Sequence, residues 1–337
     1  MNDDYLWDGS GAPDPEVERL EKLLGRFRHN RPAPEFPAVL VVPNPSRIQR
    51  IAWPFAIAAM ILFVCFVWWM RLSLNRGMWT IANVEGAPQM AGHAAKRNHA
   101  WKIGQQLVTD ADSRVELQVR GLGHIDVEPN SRLTLLLASK DHQQVRLDRG
   151  TIHASIVAPP YVFLVHTPTA YALDMGCAYT LHVNDDGSSI LRVTFGWVDL
   201  QHDSIQSLVP AGAAAESKPG FGPGAPYYED ASDQFRRALE IVNFDLKDAQ
   251  TRSAALTIVL EESRPRDAFT LLNLFRRVDP SDRGRMFDRL AALVPPPAGV
   301  TREDVVNGDW SRIDLWWEKL GIGSAKKDFK RPPRVEE

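Results

Sequence analysis

A chain of 337 residues with 44 % hydrophobic and 24 % charged residues has the balance of folded domains, two or three of ordinary size, and this excludes a wholly disordered polypeptide. Lys+Arg total 39 against 42 for Asp+Glu, a formal net charge of -3, so no bulk basic excess draws the chain to a nucleic-acid backbone. Cys65 and Cys177 are the only cysteines, which excludes a disulfide framework and a cysteine-based zinc knuckle.

Residues 1–31 form a short polar segment, acidic at its start and basic at its end. Asp14-Pro15 reads as a helix N-cap and first position, and Val17, Leu20, Leu24 and Phe27 follow at helical spacing. Glu16 and Glu18 near the start and Arg26 and Arg28 near the end complement the macrodipole. So short a helix cannot bury its own apolar face. Val17, Leu20, Leu24 and Phe27, with Tyr5, Leu6 and Trp7, are therefore a candidate docking strip for a partner, against the alternative of a frayed, solvated tail. Five prolines then make residues 32–50 an extended linker.

Residues 51–70, IAWPFAIAAMILFVCFVWWM, carry no charge, and twenty helical residues reach the ~30 Å of a hydrocarbon core. Trp53, Trp68 and Trp69 sit where interfacial belts form, and Arg47, Arg50 and Arg71 flank the stretch. A single transmembrane helix is expected, retained rather than cleaved because it begins fifty residues into the chain. The basic residues before it place the N-terminus on the cytoplasmic side.

Beyond Gly77 the period changes to two. Val115, Leu117 and Val119 alternate with polar residues, as do Leu133, Leu135 and Leu137, and further pairs follow at Val145/Leu147, Ile152/Ala154/Ile156, Phe163/Val165, Tyr179/Leu181/Val183 and Leu191/Val193/Phe195. Turn signals separate them at Pro129-Asn130, Asp148-Arg149-Gly150 and Asn184 to Gly187. Residues 78–212 therefore read as an all-β domain, an antiparallel sandwich or a pair of rolled sheets. Gly150, Gly176 and Gly196 stand where one strand gives way to the next and have a structural role.

The succession GQQLVTDADSRVELQVRGLGHIDVEPNSRLTL, VRLDRGTIHASI, FLVHTPTAYALDMGCAYTLHV, LRVTFGWVDLQ and LVPAG resembles the FecR domain, the sensor module of membrane-anchored regulators of the anti-sigma factor family. Where that family usually has Gly-Thr, this chain has Gly176-Cys177. The resemblance implies a bacterial inner-membrane protein with the bulk of the chain in the periplasm. It implies an exported β-domain that receives a cue from an exported protein or outer-membrane receptor, and a cytoplasmic segment that acts on an extracytoplasmic-function sigma factor. A membrane-anchored envelope scaffold without transcriptional output is the alternative.

Eight of the nine histidines fall in the β-domain, yet none forms a short ligand pair, so solvated strand-face residues are expected rather than a metal or pH site. Cys177 is expected as a buried free thiol, with an exposed redox sensor as the alternative. Residues 213–229, with KPGFGPGAP inside them, read as a Gly/Pro hinge. Residues 230–322 read as an α-helical bundle of four or five helices, with capping boxes at Thr301/Asp304 and Ser311/Asp314. In it Trp316-Trp317 is expected to have one ring turned outward, a carbohydrate platform being the alternative. Residues 323–337 are a basic-rich tail. No nucleotide loop, catalytic motif, cofactor motif or metal-ligand spacing occurs, so no catalytic or cofactor-binding residue is assigned and a non-enzymatic protein is expected.

Overall fold

A computed structural model describes residues 15–28, 60, 63, 79–245 and 248–320. The chain divides into two units, residues 1–67 and 68–337. In the first, helix α1 (Pro15–Leu24) continues into a 3₁₀ turn (Gly25–Phe27). The proline linker 32–50 and the tail 323–337 lie outside the described residues, as does the apolar stretch 51–70 apart from Met60 and Phe63, which are helical and exposed. Among the described residues no helix is long and apolar enough to cross a membrane.

The second unit opens with β1 (Trp79–Glu85), β2 (Gln89–Met90), β3 (His93–Ala94), β4 (Gln106–Val108), β5 (Arg114–Val119), β6 (Gly123–Val127) and β7 (Arg132–Ala138). Then come β8 (Gln143–Ile156), β9 (Phe163–His166), β10 (Tyr171–Asp174), β11 (Ala178–Val183), β12 (Ser189–Phe195), β13 (Trp197–His202) and β14 (Ile205–Pro210). Strands β15 (Ala213–Lys218), β16 (Gly222–Pro223) and β17 (Tyr227–Tyr228) complete the sheet region.

One sheet runs β1-β5-β6-β8-β11-β12-β15, with β16 and β17 both on β15. The other runs β3-β2-β4-β7-β8-β9-β10-β13-β14. All pairs are antiparallel except β8 with β9. Strand β8 belongs to both sheets, its first half to one and its second half to the other. The expected turn at Asp148-Arg149-Gly150 is instead the bend of this continuous strand. Gly150 takes φ +91°, and a Cβ there would lie 2.2 Å from Ser131 Oγ, so glycine is what lets the strand change sheets.

Inward residues of both sheets, among them Trp79, Leu117, Leu133, Val145, Ile152 and Leu181, make one core. The alternation fails at Leu137, part-buried beyond a register shift between Leu135 and Leu137, and at Phe195, which is 70 % exposed. A register shift between Ala178 and Tyr179 doubles the residue on β12 and turns its last side chains to solvent.

The expected hinge over residues 213–229 is replaced by sheet. Strand β15 pairs with β12, and Gly222 through Pro226 are buried. Proline and glycine persist here because this is a sheet edge, where a missing donor costs little. Asn243 from the helical region then accepts a hydrogen bond from the Ala225 N–H at 2.9 Å, pinning the segment.

Among the described residues the helices are α2 (Asp233–Phe244), α3 (Ala249–Glu262), α4 (Ala268–Leu274), α5 (Arg283–Leu293), α6 (Arg302–Val306) and α7 (Trp310–Lys319), six rather than four or five. Ser232 and Thr301 cap α2 and α6 through their hydroxyls. Asp309, not Ser311, caps α7. Trp316 and Trp317 are both buried, so neither ring faces outward and a carbohydrate platform has no surface to occupy. Their core takes in Trp197 and Leu208 from the sheet, with Trp197 and Phe269 rings 5.3 Å apart and Phe269 and Trp317 rings 5.8 Å apart.

Candidate ligand cleft

The helical region meets the sheet along β14, an edge strand of its sheet. Unpaired edge groups need partners, and α4 supplies them. Leu271, Leu272, Leu274 and Phe275 anchor this helix and its end by burial; Asn273 in the last turn of the helix and Arg277 in the turn that follows supply the polar groups. The Asn273 side chain donates to Phe269 O at 2.8 Å and accepts the Leu208 N–H at 3.2 Å. Arg277 donates to Gln206 O at 3.0 Å, to Asn273 O at 3.2 Å and to Pro223 O.

Beside this contact lies a cleft of about 160 Å³. Met175, Ile205, Leu208, Leu272 and Trp317 form its apolar wall. Asp199, Gln206, Arg276 and Arg277 add the charged and polar groups. Asp199 is buried, and its Oδ2 accepts from Gln201 Nε2 at 2.7 Å and Gln206 Nε2 at 2.6 Å. Gln206 thus touches Asp199 with its side chain and Arg277 with its carbonyl. Burial lowers the Arg277 pKa to about 10. Exposed Arg276 is held by the Trp310 ring, 5.4 Å away, and Arg283 stacks on that same ring at 5.0 Å.

A second polar cluster sits inside the sheet. Asp174 is buried, and this pushes its pKa up to about 6 even though Cys177 Sγ donates to its Oδ2 at 2.8 Å and the Gly176 N–H to its Oδ1 at 2.6 Å. Burial and the adjoining carboxylate raise the Cys177 thiol far above its ordinary range, so this free cysteine is held as an unreactive thiol. Burial raises Tyr179 likewise. His166, bonded to Gln144 Oε1 at 3.0 Å, is driven down to about 4 by burial and by the Arg146 charge.

Of the residues singled out in the sequence, Trp317 lines the cleft. Leu20, Leu24 and Phe27 are 56 %, 61 % and 82 % exposed on α1, and Val17 is half-buried. Tyr5, Leu6 and Trp7 lie outside the described residues, as does Cys65. Gly176 and Gly196 take φ of +80° and +75°, and a Cβ on Gly196 would stand 2.6 Å from Gly176 O. Other histidines bond across strands, His153 Nδ1 with Thr180 Oγ1 at 2.9 Å and His182 Nδ1 with Thr151 Oγ1 at 2.7 Å. Among the described residues no group of three His, Cys, Asp or Glu is placed to hold a metal ion. Asp199, Gln206, Asn273, Arg276 and Arg277 escaped the sequence reading. The one available signal was the Asn273–Arg277 spacing, and it reads equally well as an ordinary basic helix end.

No curated protein matches the chain. Two crystal structures, at 1.65 and 2.50 Å, of a protein from Parabacteroides distasonis ATCC 8503 provisionally assigned as an anti-sigma factor are similar at 14 % identity and a TM-score of 0.32. Each similarity covers 40 % of this chain, and 63 % and 62 % of the respective neighbour's length. The family model described as FecR protein matches residues 105–199, from the approach to β4 through Asp199 in β13. The matched stretch ends at the cleft wall and leaves β14 to β17 and α2 to α7 outside. The chain thus carries a FecR domain over residues 105–199, the segment that contains the cross-sheet strand β8.

Proposed function

We propose that this chain is a single-pass membrane regulator of FecR type. Residues 51–70 cross a bacterial inner membrane, the N-terminal segment lies in the cytoplasm, and the unit from Trp79 onward lies in the periplasm. The periplasmic unit receives a cue or partner, and α1 acts on an extracytoplasmic-function sigma factor without catalysis by this chain. The observation that carries this reading is the FecR match over residues 105–199. The twenty-residue uncharged stretch and the exposed leucines of α1 support it.

The test is capture of the full-length tagged chain from membranes, with immunoblotting for the sigma factor encoded nearest its gene. Recovery with the wild-type chain and loss with Leu20→Asp and Phe27→Asp are expected. If the wild-type chain recovers no sigma factor while its removal disturbs envelope assembly, the regulator reading fails and the anchored scaffold takes its place. Protease treatment of intact spheroplasts tests the topology separately: the large unit should be digested and the N-terminal segment spared.

A further inference from the structure

The cleft beside β14 holds two guanidinium groups that the protein does not discharge. Among the described residues Arg276 forms no ion pair, and its contact with Trp310 restrains the side chain while leaving its charge intact. Arg277 spends three of its five N–H donors on carbonyl oxygens, which solvate the cation without neutralising it. Against these two cations the lining carries one carboxylate, Asp199, already engaged by two glutamine amides. The balance is a single positive charge beside an apolar wall.

Such a lining selects a ligand that is apolar at one end and singly anionic at the other. The size narrows the choice. A space of about 160 Å³ takes one aromatic ring or one branched aliphatic group, since an apolar cavity of ~150 Å³ holds benzene. A nucleotide or an acyl chain is too large. A monoanion suits one net positive charge better than a phosphate dianion, and the fork of an arginine matches a carboxylate in two parallel hydrogen bonds.

We propose that this cleft binds a small carboxylic acid with an aromatic or branched aliphatic body, its carboxylate on Arg276 and its apolar end against Leu272 and Trp317. The site does not depend on the regulator reading, because binding is measured without a sigma factor or a membrane topology.

The test uses the full-length chain in nanodiscs with ¹³C-methyl methionine, the Met175 resonance being assigned by Met175→Leu. Phenylacetate and isovalerate are titrated against the neutral isostere phenylacetamide. Saturable movement of the Met175 signal below about 10 mM acid is expected, with binding at least tenfold weaker for the amide and for Arg276→Gln. Arg276 is exposed, so this variant should unfold at the wild-type temperature, and that measurement separates lost binding from lost fold. Leu272→Trp, which fills the cleft, should abolish the response. The proposal is overturned if neither acid moves the signal, if amide and acid bind alike, or if folded Arg276→Gln binds as the wild type does.

Discussion

Helices α1 and α2 are built on similar spacing. In α1 the positions Val17, Leu20 and Leu24 recur on one face, and in α2 the positions Phe235, Ala238, Leu239 and Val242 do the same. These four residues of α2 are at most 3 % exposed, while Leu20 and Leu24 stand more than half exposed. The period of a sequence therefore determines that a helix forms and which face is apolar. Whether that face is covered depends on residues far along the chain, and α2 has them in α3, to which it packs, whereas α1 is without such a cover among the described residues. A buried face serves stability, and a bare one is available for recognition.

The sharpest way to break this contrast is to truncate one side chain on each side of it. Trp316→Ala, in the covered helical core, is expected to cost about 3–5 kcal/mol in denaturant unfolding of the full chain. Leu20→Ala should stay within about 0.5 kcal/mol. Equal losses would mean that α1 is covered after all.

The next largest effect concerns the seam that covers β14. Asn273→Ala leaves the Leu208 N–H without its acceptor and should cost about 1–3 kcal/mol, with faster hydrogen exchange at Leu208 itself. Unchanged exchange there would show that the seam is not what protects the edge.

A pH effect of similar or smaller size comes from two buried groups of opposite sign. Asp174, raised from 3.8 to about 6, binds its proton more tightly when folded, so its contribution is greatest below about pH 4 and is lost as pH rises through 6, up to about 3 kcal/mol. His166, lowered from 6.5 to about 4, binds its proton less tightly when folded, so its contribution is present above pH 6.5 and is lost as pH falls toward 4. It is partly solvated and its effect is the weaker one. Stability of the wild type should therefore change little between pH 4 and 6.5, and Asp174→Asn should expose a decline on acidification. A variant with a flat profile would show that His166 does not contribute.

Much of the β architecture was legible because many of the strands are half-buried. Val115, Leu117 and Val119 point inward as their alternation requires. What escaped was non-local. Nothing near Lys218 announces that Asn243 will hold Ala225, so a buried sheet edge reads as a hinge. Helix α3 has apolar residues spread around its circumference, which hides its face. The cleft escaped for the same reason: Asp199 and Arg276 stand 77 positions apart, and only folding sets them in one wall.

The closure of β14 also orders events during synthesis. Leu208 and Gln206 are bonded by residues 65 and 71 positions later, so the sheet region is complete in sequence well before its last edge can be sealed. Until α4 is made and docks, a row of bare peptide groups is open to a neighbouring nascent chain. The helical region is in this sense a late stopper, and chains ending before it should be found in aggregates even though every strand they need is present.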